Sequence, residues 1–267
     1  MENIVDQLWN EYIKVTPSAA KIQSIFEKEG ETVANDHIAI RTFNHPSVNV
    51  EQLSAPFIAI GYEKQGEYIF EAKKLKAAHY EHRTDKDMPK IFISELRLEL
   101  CSEFVQEVAD SVIEASEVNH YSKNELLLQG RTWGLPSHKI YERLLEESEY
   151  AAWMYVFGFR ANHFTIHCNK LNHFDSLMAV NNFLKDNGFE MNTSGGEIKG
   201  SKEQLLEQSS ILADKMNIEF QEGTYEIPSC YYEFAKRYPM KNGELFEGFI
   251  ASSADKIFES TDTVLSK

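Results

Sequence analysis

Two histidines in this chain occupy the same frame of two short strand-like segments. The first segment reads Asp36-His37-Ile38-Ala39-Ile40-Arg41-Thr42-Phe43, the second Asn162-His163-Phe164-Thr165-Ile166-His167-Cys168. In each, a polar residue precedes the histidine, an apolar residue follows it, and a second basic group, Arg41 or His167, comes four positions later. Side chains at i, i+2 and i+4 of a strand share one face. His37 and Arg41 are therefore expected to point the same way, as are His163 and His167. A repeated strand presenting one imidazole from each copy predicts a duplicated fold with a metal at the seam. Each copy also ends on a glutamate among large apolar residues, Glu95 in Ile91-Phe92-Ile93-Ser94-Glu95-Leu96 and Glu233 in Cys230-Tyr231-Tyr232-Glu233-Phe234. A carboxylate on a buried strand is costly unless it is paired or bound to a metal. Two histidines and one glutamate make the facial triad of non-haem Fe(II), which leaves coordination positions open for substrate and oxygen.

The elements that must position these residues follow from periodicity. Residues 3–29 read as two helices, with Trp9, Tyr12 and Ile13 on one face of the first and Ile22, Ile25 and Phe26 on one face of the second; Thr16-Pro17-Ser18 separates them. Strand 37–43 follows, then a helix from Asn49 to Ile60 ended by Gly61, then alternating runs at 67–83 and 90–98. Residues 102–150 carry helical periodicity. The second copy has a strand at 159–168, a helix from Asn172 to Asn187 closed by Gly188, a short strand at 195–200, a small helical insertion at 202–208, and two longer strands at 209–221 and 224–236. The longer spacing from His163 to Glu233 is assigned to that insertion. The order strand–helix–three strands, met twice, predicts an α+β fold of two paired βαβββ modules. The expected division is N-terminal helices at 1–30, a first module at 31–100, a helical insert at 101–155, and a second module with a tail at 156–267, all in one catalytic domain.

Composition narrows the function. With 27 basic and 42 acidic residues the net charge is −15, which disfavours a nucleic-acid partner in the absence of a basic patch. Three cysteines, Cys101, Cys168 and Cys230, are too few and too dispersed for a disulfide framework or a cysteine-rich zinc site. The first residues lack an apolar signal core, and no apolar run is long enough to span a bilayer. These features give the expectation of a cytoplasmic protein without a membrane partner.

As a set, Asp36–Thr42, Asn162–Thr165, Tyr232-Glu233-Phe234 and the tail Ser252-Ser253-Ala254-Asp255-Lys256-Ile257-Phe258 resemble the iron-dependent 2-oxoadipate dioxygenase/decarboxylase family, or hydroxyglutarate synthases. That family is similar in fold to the vicinal-oxygen-chelate, glyoxalase-like superfamily. The resemblance implies His37, His163 and Glu233 as ligands of Fe(II), or of another divalent metal as purified. It implies Arg41 as a clamp for a substrate carboxylate and Ser253 as a substrate-pocket contact. It also implies a 2-oxo acid and O2 as partners, with 2-oxoadipate giving 2-hydroxyglutarate and CO2 in lysine catabolism.

Other readings of the residues stay open. Glu95 as a fourth ligand would favour a metal-dependent isomerase, lyase or hydrolase on the same fold. A histidine facing solvent would favour a non-catalytic small-molecule binder. Arg41 could instead neutralise Glu233 or Glu95. His167 reads as a supporting or structural residue, and His79 and His82 as solvated, with a barrel-facing His79 as the alternative. Oligomeric state has no sequence signal.

Overall fold

The computed structural model describes residues 3–250. The chain opens with α1 (Ile4–Tyr12) and α2 (Pro17–Lys28), the first capped by Asn3 and the second begun by a proline, whose missing N–H costs nothing in a first turn. The first module comprises β1 (Asn35–Phe43), α3 (Val50–Ala59), β2 (Tyr62–Phe70), β3 (Leu75–His82) and β4 (Lys90–Leu96). Four helices follow: α4 (Glu103–Ala115), α5 (Lys123–Gln129), α6 (His138–Glu147) and α7 (Glu149–Phe157). Each begins at a serine whose hydroxyl accepts a backbone N–H of the first turn, Ser102, Ser122, Ser137 and Ser148. The second module has β5 (Ala161–His167), α8 (Leu177–Asp186), β6 (Lys199–Ser201), β7 (Leu206–Ser210), a hairpin of β8 (Lys215–Phe220) and β9 (Gly223–Pro228), and β10 (Glu233–Arg237).

Eight strands form one sheet in the order β2-β3-β4-β1-β5-β10-β7-β6, which curls into a half-barrel. β1 runs parallel to β4, β5 runs parallel to β10, and β1 and β5 meet antiparallel. The two modules are thus related by an approximate twofold through the β1–β5 seam, as the repeated frame predicts. At the seam His37 faces Thr165 and Ala39 faces His163, so the two histidines lie diagonally across one pair of strands.

The second half differs from the sequence reading in three places. The helix after β5 starts at Leu177, capped by Ser176, because a short 3-10 turn at Cys168–Lys170 and an irregular stretch precede it. Residues 202–208, expected as a helical insertion, contain a turn and β7, whose pairing with β6 and β10 overrides their helix-forming composition. The long strands expected over 209–236 are broken up. β8 and β9 pair only with each other, outside the half-barrel, and that hairpin is what lengthens the path from His163 to Glu233.

α7 is buried from Tyr150 to Phe157 and packs beneath β1, where it supplies Glu149, Tyr150 and Trp153 around Arg41. The Tyr150 hydroxyl accepts the Thr42 amide at 2.9 Å and donates to the Ser94 carbonyl at 2.6 Å, tying the helix to β1 and β4. Among the described residues no helix is long and apolar enough to cross a membrane.

Candidate metal centre

His37, His163 and Glu233 converge. One potential ligand atom from each lies within 4.8 Å of the others, and all three residues are buried. The His37 Nε2 is 3.6 Å from one Glu233 carboxylate oxygen, and the His163 Nε2 is 3.2 Å from the other. Among the described residues they are the one group of three or more His, Cys, Asp or Glu able to hold a metal.

The protons are committed elsewhere. The His37 Nδ1 lies 2.8 Å from the Asp36 carboxylate, and the His163 Nδ1 lies 3.0 Å from the Asn162 side-chain oxygen. Each imidazole donates from Nδ1 to the residue just before it, which leaves the Nε2 lone pair facing the centre. Burial lowers the pKa of His37 despite Asp36. Burial, then the charges of His37 and Arg41, lower that of His163 well below the usual imidazole range, so both rings are neutral near pH 7. Glu233 accepts from the Gln208 amide at 2.5 Å through one oxygen, while the other finds no hydrogen-bond donor. Burial pushes this carboxyl up to about 8, against the Gln208 bond. Two imidazole lone pairs facing a fully buried, half-satisfied carboxylate is a donor set that suits a divalent cation.

Around these residues lies a supporting network that sequence reasoning missed. Arg237, fully buried on β10, binds Asp36 through both arms of its fork, Nε to Oδ2 at 2.6 Å and Nη2 to Oδ1 at 2.8 Å. Burial alone would raise the Asp36 pKa; the Arg237 guanidinium and the His37 hydrogen bond hold it well below the carboxylate range instead. The Thr165 hydroxyl lies 3.1 Å from the His37 Nε2, and the Tyr231 ring stacks on His163 at 4.7 Å. A sequence signal for Arg237 existed: it stands four residues after Glu233 on one strand, the same offset as Arg41 from His37.

Arg41 is buried and neutralised by neither Glu233 nor Glu95. Its Nη1 donates to Glu149 at 3.0 Å, and its guanidinium lies over the rings of Tyr150 and Trp153. Its charge is felt by His163 and Tyr231, which puts it near the second-module half of the centre. Glu95 is not in the centre. It accepts the Val50 amide at the start of α3 at 2.9 Å. The pairing register explains this: Glu233 pairs with Thr165, two residues beyond His163, whereas the residue paired two beyond His37 is Phe92. His167 lies 4.0 Å from Asp36, outside the triad. His79 is buried rather than solvated, bonded to Tyr68 and Glu81. Ser253 lies outside the described residues.

The fold and this centre define a metalloprotein of the vicinal-oxygen-chelate, glyoxalase-like class. Within it, the sequence pattern of the 2-oxoadipate dioxygenase/decarboxylase family matches residues 1–244. The chain is 34% identical to the chloroplastic/amyloplastic 2-oxoadipate dioxygenase/decarboxylase of rice, over 97% of this chain and 78% of the relative. It superimposes on the crystal structure of rice hydroxyglutarate synthase in complex with 2-oxoadipate with a TM-score of 0.90 at 33% identity, covering 99% of this chain and 93% of that one. A Shewanella frigidimarina structure, solved as a candidate hydrolase, superimposes with a TM-score of 0.88 at 49% identity over 93% and 96% of the two chains. The chain belongs to the 2-oxoadipate dioxygenase/decarboxylase family. It is an enzyme of the dioxygenase/decarboxylase type whose cofactor is Fe(II) or a similar divalent metal. The cytoplasmic expectation is overturned by the rice relative, a plastid enzyme; an acidic composition does not distinguish compartments.

Proposed function

We propose that the protein converts 2-oxoadipate and O2 to 2-hydroxyglutarate and CO2, with Fe(II) held by the Nε2 atoms of His37 and His163 and the carboxylate of Glu233. The observation that carries this is the set of three buried donors whose lone pairs face one another while both Nδ1 protons are committed to Asp36 and Asn162. Iron held by these residues would supply positions for a chelating 2-oxo acid and for O2, which brings the oxidising equivalents.

The chain supplies the rest. Asp36 and Asn162 fix the ring planes and tautomers of the ligands. Gln208 holds Glu233 from the side away from His163. Arg41 offers the distal carboxylate of the substrate a planar cation, locked in orientation by Glu149 and by the rings of Tyr150 and Trp153. Buried Tyr231, Phe92 and Phe249 keep the surroundings apolar, which strengthens charge interactions and excludes water. The reading as an isomerase, lyase or hydrolase would have been favoured by Glu95 as a fourth ligand, whereas Glu95 accepts the Val50 amide at the start of α3. The binder reading would have been favoured by a solvent-facing histidine, whereas both are buried.

The test is oxygen uptake by anaerobically prepared, Fe(II)-loaded protein given 2-oxoadipate alone. Stoichiometric CO2 and 2-hydroxyglutarate are expected, with faster uptake than on 2-oxoglutarate, whose shorter chain places its distal carboxylate differently relative to Arg41. Conversion of substrate without oxygen consumption would contradict the proposal.

A further inference from the structure

We propose that the C-terminal segment 246–249 is a working part of the metal centre, and that Arg237 is the positioning residue coupling its seating to the orientation of His37. This rests on the metal-site reading above. Arg237 is the junction. Two arms of its guanidinium grip Asp36, while Nη1 donates to the carbonyls of Phe246 at 2.9 Å and Gly248 at 2.8 Å. The Asp36 oxygen that accepts from Nη2 also accepts from His37 Nδ1. One carboxylate oxygen and one guanidinium therefore link the backbone of the segment to the ligand ring.

The segment is latched at three further points. Glu247 ion-pairs with Lys90 of β4. The Phe249 amide donates to the Tyr68 hydroxyl at 3.2 Å; that hydroxyl lies 2.9 Å from His79 Nδ1, and His79 Nε2 lies 3.3 Å from Glu81. With Nε2–H directed to Glu81, Tyr68 donates to His79 and is left to accept from Phe249, so every proton in the chain has a place. The Phe249 ring then stands edge-on to His37 at 4.9 Å, and packs on Phe92 at 4.9 Å and under the Arg237 guanidinium at 5.3 Å.

The physical consequence is directional. With the segment unseated, Nη1 of a fully buried guanidinium loses two acceptors, a costly state that the side chain relieves by turning toward others. Turning breaks the two-armed geometry on Asp36, and with it the fixed plane and tautomer of His37. The segment thus tunes ligand geometry without contributing a ligand.

The test is Co(II) titration of metal-free protein, read by affinity and by the visible absorption of the bound ion, which reports ligand geometry independently of turnover. The proteins are the full-length parent, Phe249→Ala, Tyr68→Phe, Arg237→Lys and the double variant Arg237→Lys/Phe249→Ala. Outer partners of ligating histidines affect metal affinity by about 10–100-fold, and a loss in that range is expected for Arg237→Lys. Phe249→Ala and Tyr68→Phe should each weaken binding by roughly 3–10-fold and shift the absorption band in the same direction, since both loosen the seating of the segment, Phe249→Ala also removing its ring contact with His37. In the Arg237→Lys background, Phe249→Ala should cost less than it does in the parent, because the link through Arg237 is already broken and only the direct ring contact with His37 remains. Parental affinity and spectrum in both Phe249→Ala and Tyr68→Phe would overturn the proposal, as would fully additive losses in the double variant. Should Arg237→Lys fail to fold, Phe249→Ala and Tyr68→Phe decide the matter. Absence of Co(II) binding by the parent would remove the metal reading itself, and the proposal with it.

Discussion

Where β10 of the second module carries Glu233, β4 of the first module carries Phe92. The two positions are equivalent by register, each paired two residues beyond the module's histidine. Other equivalent positions differ as well: Asp36 against Asn162 behind the histidines, and Ala39 against Thr165 across the seam. Duplication delivers two imidazoles in matched orientation, and divergence of the other positions decides what the metal can do. A second carboxylate at position 92 would complete a four-ligand site suited to Lewis-acid chemistry. On the reading proposed above, an aromatic ring there leaves room beside the metal for substrate and oxygen.

The largest expected effect comes from breaking the one carboxylate position. Glu233→Gln keeps the shape and the Gln208 contact but removes the charge. Tight metal binding should be lost and oxygen uptake should fall by about a thousandfold, as should follow from His163→Ala, which deletes a ligand outright. Metal analysis after dialysis and an oxygen electrode check both variants.

Restoring the symmetry is the converse experiment. Phe92→Glu should retain or strengthen divalent metal binding while lowering oxygen uptake by at least about tenfold, because a fourth protein ligand occupies a position that oxygen activation needs. Unchanged uptake with full metal occupancy would mean that the Phe92–Glu233 difference is not what keeps the site open.

The residues behind the histidines should also be unequal. Asp36→Asn deprives buried Arg237 of its counter-charge, and breaking a buried pair costs about 3–5 kcal/mol. Asn162→Ala removes one neutral hydrogen bond, worth about 1 kcal/mol. Chemical denaturation of the metal-free proteins separates the two. Equal losses would show that the Arg237–Asp36 junction adds nothing to the first half.

The smallest effect is a proton count. Burial raises Glu233 in the folded, metal-free protein to about 8 from an ordinary value of 4.5. Between these values the folded state holds a proton that the unfolded state has released, so this group's contribution to stability is full below about 4.5 and is lost as pH rises through about 8. Metal binding near pH 7 must displace that proton. Calorimetry in buffers of different ionisation enthalpy should find about one proton released per metal bound near pH 7, falling as the pH rises through about 8.

Much of this was legible in the sequence. The frames around His37 and His163 announce a duplicated strand because strand periodicity fixes which side chains share a face. Glu233 stands out because an acid between Tyr232 and Phe234 is out of place on a buried strand. Glu95 looked like its equivalent for the same reason, yet matching by composition ran three positions beyond the true register, which only strand pairing defines. The β8–β9 hairpin was hidden because alternation records strands but not the sheet they join. Glu149 and Phe249 were invisible as site residues because each reaches its partner, Arg41 or His37, across a long stretch of chain. Asp36 and Asn162 were seen as flanking polar residues; their role as Nδ1 acceptors required the geometry.

The most direct test of the central claim is anomalous diffraction from crystals loaded anaerobically with Fe(II). A single metal peak is predicted about 2.0–2.3 Å from His37 Nε2, His163 Nε2 and a Glu233 oxygen, with Phe92 turned toward it and no fourth protein ligand. A peak elsewhere, ligation through either Nδ1, or a fourth side chain in the coordination sphere would contradict it.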